Sequence, residues 1–141
     1  MPLLTPADWG AVRASIDVSL TATELPDATI ALPIYVDAAE AEVVALDPLA
    51  LTYTAGTANN VSVRNAAIFL TAARLAYVVP VLKRETMTDG YSYERAIVEP
   101  AALEKRLRTL ALAAVDAVLA SSSSSSTIPT FFTRATGGRN R

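Results

Sequence analysis

The sequence predicts an all-α protein: a four-helix bundle-like domain over residues 1–120, a long loop before the last helix, and an extended C-terminal tail. Two observations carry that prediction. Apolar residues recur at helical spacings in four separate stretches, and proline, threonine or aspartate stands where those stretches begin. The turn-rich segment "LALTYTAGTANN" and the polar segment at 83–98, with its Asp89-Gly90 pair, separate them.

Each element has a local reason. Thr5 is placed to cap a first helix over Pro6 to Ile16, with Pro6 at the first helical position and Asp8 able to reach back to the cap. Asp27 reads as a second cap, and the main acidic helix is expected to start at or just before Pro33 and to stop ahead of Pro48. Its expected apolar face is Ile34, Ala38, Ala41 and Ala45, flanked by Val36, Val43 and Leu46. A third helix in "VSVRNAAIFLTAARLAYVVPVL" carries Ile68, Leu75, Val79 and Leu82 on one side and Phe69, Leu70, Tyr77 and Val81 on another. Such a helix is apolar nearly all round and is expected at the centre, with Pro80 kinking or ending it. The fourth helix is expected from Glu99-Pro100 to about Ala120, with Leu103, Leu107, Leu110, Ala114 and Val118 as its core stripe. A linker of six serines, 121–126, should end it, because serine competes for backbone hydrogen bonds and offers nothing to pack. A tail over 127–141 follows.

Composition removes whole classes of function. The 141 residues contain no cysteine and no histidine, so thiolate metal sites, cysteine nucleophiles and the Ser-His-Asp arrangement are all excluded. Asp37 and Glu40 share a helix face, but bundle metal sites need Glu-x-x-His, so the pair reads as a solvated surface. Neither "TAGTANN" nor "ATGGRNR" forms a phosphate loop. No enzymatic activity, metal or cofactor is expected. The apolar runs Asn65 to Ala73 and Leu75 to Leu82 are broken by Arg74 and Lys83, so neither a signal peptide nor a membrane span is expected.

What remains points to assembly. Hydrophobic residues make up 52% of the chain and mean hydropathy is +0.33, more than an isolated domain of this size requires, so part of the surface is expected to lie between subunits. The net charge of −2 divides unevenly: residues 1–60 carry one basic and eight acidic side chains, residues 61–141 eleven basic and six acidic. Either both halves are solvated, or copies pair acidic face to basic face. Arg64 and Arg74, charged residues on an otherwise apolar helix, are the candidates for meeting a neighbour's carboxylate, with internal pairing to Glu40 or Glu42 as the alternative. Together with Tyr77, Glu40 and Glu42 they make up the candidate oligomer interface. Lys83-Arg84, Lys105 to Arg108 and the arginines of the tail leave room for contact with DNA, although a pI of 5.1 is low for a dedicated DNA reader.

The tail is built for capture. Its 21 residues from Ser121 to Arg141 could span about 70 Å if extended. The apolar stretch "TIPTFFTR" suits a partner's groove or sheet edge, with Ile128, Phe131 and Phe132 as anchors, Thr127 and Pro129 beside them, and Arg134 against an acidic rim. The alternative is that the aromatic residues fold back on their own domain.

"LPDATIALPIYVDAAEAEVVAL", "NAAIFLTAARLA", the four-helix layout and the long tail resemble the head-tail connector, or adaptor, proteins of tailed bacteriophages and gene transfer agents. The resemblance covers most of the chain from about Leu3. It implies a helical adaptor domain that forms a homo-oligomeric ring, a dodecamer, beneath the portal protein. That ring would extend the DNA ejection channel, with genomic DNA passing through without sequence recognition. It would also receive a downstream neck or tail protein, a stopper or tail terminator. It further implies that the C-terminal tail, with Thr127, Ile128, Pro129, Phe131, Phe132 and Arg134, docks on the portal, and that the protein is made in the host cytoplasm and resides in the virion neck without membrane contact. The alternative reading is a helical DNA-packaging or scaffolding protein.

Overall fold

The computed structural model describes residues 2–79 and 99–123. The all-α class holds, since no strand occurs among the described residues. A 3-10 turn, Pro6–Asp8, leads into α1 (Trp9–Ile16); α2 (Asp27–Ile30) is a single turn; α3 spans Val36–Leu46, α4 Ala58–Leu75 and α5 Pro100–Ser123. The expected loop at 83–98 and the tail at 127–141, with all six portal-docking residues, lie outside the described residues.

Local chemistry explains the boundaries. The Thr5 backbone N–H donates to Asp8 Oδ2 at 2.8 Å and its hydroxyl does so at 3.0 Å, the reach-back expected of this cap. α3 starts at Val36, three residues after the proline assigned to its start. The intervening residues form a turn in which Tyr35 and Asp37 donate to the Leu32 and Pro33 carbonyls. Asp27 does not cap α3; it opens α2 and pairs with Arg13. After α3, Asp47 is buried, with Oδ1 accepting from the Leu49 N–H at 3.0 Å and Oδ2 from the Tyr53 hydroxyl at 2.9 Å. That side chain sets the turn into the next segment. Gly56, at φ +82°, supplies the left-handed residue before Thr57, whose Oγ1 accepts from the Asn60 N–H and caps α4. α4 ends at Leu75, where the Ala76 and Val78 N–H groups donate to the Ala73 and Leu75 carbonyls in tighter turns; Pro80, expected to kink or end it, lies outside the described residues.

α4 is the hub. Val63, Ala66, Ala67, Ile68, Leu70, Thr71, Ala72, Ala73 and Leu75 are all buried, and α1, α3 and α5 each pack on it, α5 along the greatest length. Thr71 is satisfied inside by donating to the Ala67 carbonyl at 2.8 Å. α5 runs antiparallel to α4. Its C-terminal end meets the start of α4, where Ser121 donates to Asn59 Oδ1 at 3.2 Å.

Three expectations change. The buried face of α3 is Val36, Ala39 and Val43, while Ile34 is 68% exposed and Ala41 and Ala45 face outward. Ile34 precedes the helix and does not share its periodicity, and the valines bury more apolar area than the alanines. The α5 stripe is Leu103, Leu107, Ala111, Val115 and Val118; Leu110 is 39% exposed and Ala114 only half-buried. It follows an i+4 ridge, as suits packing along the alanine-lined surface of α4. The helix also continues past Ala120 through Ser123, because the serine hydroxyls donate back to carbonyls of the preceding turn, at 2.7 Å from Ser121 and Ser122 to Val118.

The observed stripe makes a sharp prediction. Leu107→Ala should cost ~2–5 kcal/mol of unfolding free energy, and Leu110→Ala under ~1 kcal/mol, as read from urea unfolding midpoints. Equal losses would contradict the face assigned to α5.

Candidate functional site

Two polar clusters tie the helices to one another. In the first, Arg64 of α4 donates through Nε to Asp8 Oδ1 at 2.9 Å and through Nη2 at 2.7 Å, a fork on a buried carboxylate that Thr5 also holds. Burial alone would raise the Asp8 pKa, but hydrogen bonds from Arg64 and Thr5 hold it below the ordinary aspartate value. Nearby, Arg13 is buried, donates through Nε to the Leu25 carbonyl at 2.8 Å and pairs with Asp27, fastening α1 to the entry of α2.

The second cluster lies where α3, α4 and α5 converge. Glu42 is a bridging carboxylate: Oε2 accepts from Arg74 Nη2 at 2.8 Å and Oε1 from Arg108 Nη1 at 2.7 Å. Arg108 also donates through Nε to Glu104 at 2.9 Å, one turn away. The Arg108 hydrogen bond, joined by one from Tyr77, lowers the Glu104 pKa, and donation to that carboxylate raises the pKa of Tyr77. Arg74 Nε is buried without a hydrogen-bond partner among the described residues, so Glu42 and the Ala38 carbonyl take up only the terminal nitrogen.

These contacts reassign the candidate interface residues. Arg74 takes the internal alternative, Glu42. Arg64 finds Asp8, a partner the sequence reading did not consider. Glu40 Oε1 accepts from the Leu4 N–H at 2.8 Å and so holds the N-terminal segment. Tyr77 is about half exposed and leans on Glu104. The two arginines therefore have carboxylates within their own chain.

The clusters have the chemistry of structural clamps. Among the described residues, no group of three or more His, Cys, Asp or Glu side chains could hold a metal, and no helix is long and apolar enough to cross a membrane. Large apolar side chains also stand exposed among the described residues, Val18, Leu49, Leu51, Val61 and Tyr77 among them. Leu32 and Ile34 precede α3 in the open, and Leu110, Leu112 and Leu119 stand outward on α5. Lys105 and Arg106, on the same helix, and Asp37 on α3 are exposed and make no ion pair among the described residues. No family model matches the chain, and neither a curated protein nor a solved structure does.

Two measurements check the clamps. The folded pKa of Asp8 lies below its unfolded value of about 3.9, so its stabilisation is present above that pH and is lost as pH falls through the folded pKa. Asp8→Asn should lower stability at pH 7 by ~1–3 kcal/mol and flatten the acid limb of the stability profile. Glu42→Gln, which removes the charge between Arg74 and Arg108 but leaves Arg108 its bond to Glu104, should cost about 1 kcal/mol at low salt and less in molar salt.

Proposed function

We propose that this protein is a structural head-tail connector of a tailed phage virion: a homo-oligomeric ring, dodecameric by the resemblance, that sits under the portal, continues the DNA channel and joins the capsid to the neck and tail. One observation carries the reading. The two stretches that resemble connectors, 25–46 and 65–76, form α2, α3 and most of the buried part of α4, so the resemblance falls on the framework of the fold and not on its periphery. The open apolar residues on α5 and ahead of α3 support it, since a chain that works alone has little use for them. The polar clusters support it too, as they brace helices and assemble no reactive group.

Portal attachment is assigned to the tail, with Ile128, Phe131 and Phe132 as anchors. Burying one phenylalanine is worth roughly 1.5–3 kcal/mol, which repetition around a ring multiplies. A second reading, a DNA-packaging or scaffolding protein, draws on the free Lys105 and Arg106.

The test is a chain lacking residues 127–141. It should keep its helical circular dichroism and its self-association yet fail to co-sediment with purified portal, while the full chain binds and appears as a ring under the portal by electron microscopy. Undiminished portal binding by the truncated chain would defeat the tail assignment. Absence of binding by the full chain, together with duplex binding that falls steeply with salt, would favour the second reading.

A further inference from the structure

Two of the exposed apolar surfaces of the described fold, each beside charges that make no ion pair among the described residues, match one another. One is the turn ahead of α3 and its first residues: Leu32 and Ile34, 46% and 68% exposed, followed by Asp37. The other is the outward side of α5. Its inner stripe is spent on α4, and outside that stripe Leu110 and Leu112, 39% and 48% exposed, stand to either side of the small Ala113. One to two turns toward the N-terminus, Lys105 and Arg106 flank the same side in the same way. Helical spacing at 100° per residue produces this arrangement: two cations in one tier, two leucines in the next, a small residue between them.

We propose that these two surfaces bind each other between copies, the segment Leu32–Asp37 of one chain lying antiparallel on the outward face of α5 of the next. Asp37 sits between Lys105 and Arg106. Ile34, the next exposed apolar side chain back along the chain, then enters between Leu110 and Leu112 over Ala113, and Leu32 lies against Leu112. The occupant is a second copy because the charges are complementary within one chain type: Asp37 is the α3 carboxylate without a partner among the described residues, whereas the exposed charges at the start of α5 are cationic, Asp116 lying further along that helix. Within one chain the Glu42–Arg108 ion pair sets how α3 and α5 meet, and Asp37 makes no ion pair with Lys105 or Arg106 there. The two surfaces differ, so the contact is heterologous, and its repetition produces a ring or an open filament. The apolar residues supply the affinity and the charges its register.

The proposal rests on the reading of the chain as a self-assembling connector, and a charge-swap cycle on the full chain separates the two. Sedimentation velocity across protein concentration should show self-association. Asp37→Lys alone, and Lys105→Glu with Arg106→Glu together, should each weaken it by ~fivefold or more, and the combined variant should recover most of the loss. Ile34→Glu, at an exposed position that leaves the monomer helical, should weaken it by ~tenfold or more. A monomeric full chain at every concentration overturns the proposal, as does an oligomer indifferent to these changes. Salt-sensitive duplex binding abolished by the Lys105/Arg106 reversal, with no change in oligomer, would give that face to nucleic acid instead. Portal co-sedimentation is read separately: if the swap behaves as expected while the full chain ignores portal, the contact stands and the connector reading falls. If the swap fails while portal binding persists, the reverse holds.

Discussion

From Val63 to Leu75, α4 has almost no side that can face water, and the other helices are arranged by what that helix requires. Alanine at 66, 67, 72 and 73 makes its surface shallow, so neighbours lie close and each buries a narrow ridge. α5 gives up the ridge Leu103–Leu107–Ala111–Val115, α3 gives Val36, Ala39 and Val43, and α1 gives Trp9 and Val12. A hub of this kind is satisfied by a narrow ridge from each neighbour, so the rest of each neighbour's circumference stays outside the core.

The charged residues of the core boundary act within that arrangement. Asp8, Arg13 and Glu42 each join elements that are distant in sequence or separated by a turn, and each is held by more than one hydrogen bond, so they fix the rotation and height at which helices meet on a surface that alanine leaves smooth. Half-exposed pairs such as Glu42–Arg108 contribute little net stability, and their effect is on register. Arginines that looked like unpaired charges on an apolar helix are its orientation marks.

The same geometry leaves α5 and the entry to α3 with apolar residues on two sides. Part of the apolar composition that the core does not consume stands exposed there, and part stands elsewhere, at Val18, Leu49 and Val61.

Helix class, the capped start at Thr5, the central position of α4 and the absence of histidine or cysteine chemistry were all legible in the sequence, because each depends on residues near one another in the chain. Which face of α3 and α5 turns inward was not. Leu110 and Ala111, or Ala41 and Val43, are separated by one or two residues, and either phase makes an acceptable apolar stripe by spacing alone. The choice belongs to the direction of the ridge on α4, which exists only once the helices meet. The extension of α5 through Ser123 was hidden for a related reason: serine disfavours helix by competing for the backbone, but here the hydroxyls bond to carbonyls of the preceding turn and Ser121 also reaches Asn59 across the interface. The partners of Arg64 and Arg74 lie 56 and 32 residues away, so only tertiary structure could decide that their charges are met inside the chain, while Asp37, Lys105 and Arg106 make no ion pair among the described residues.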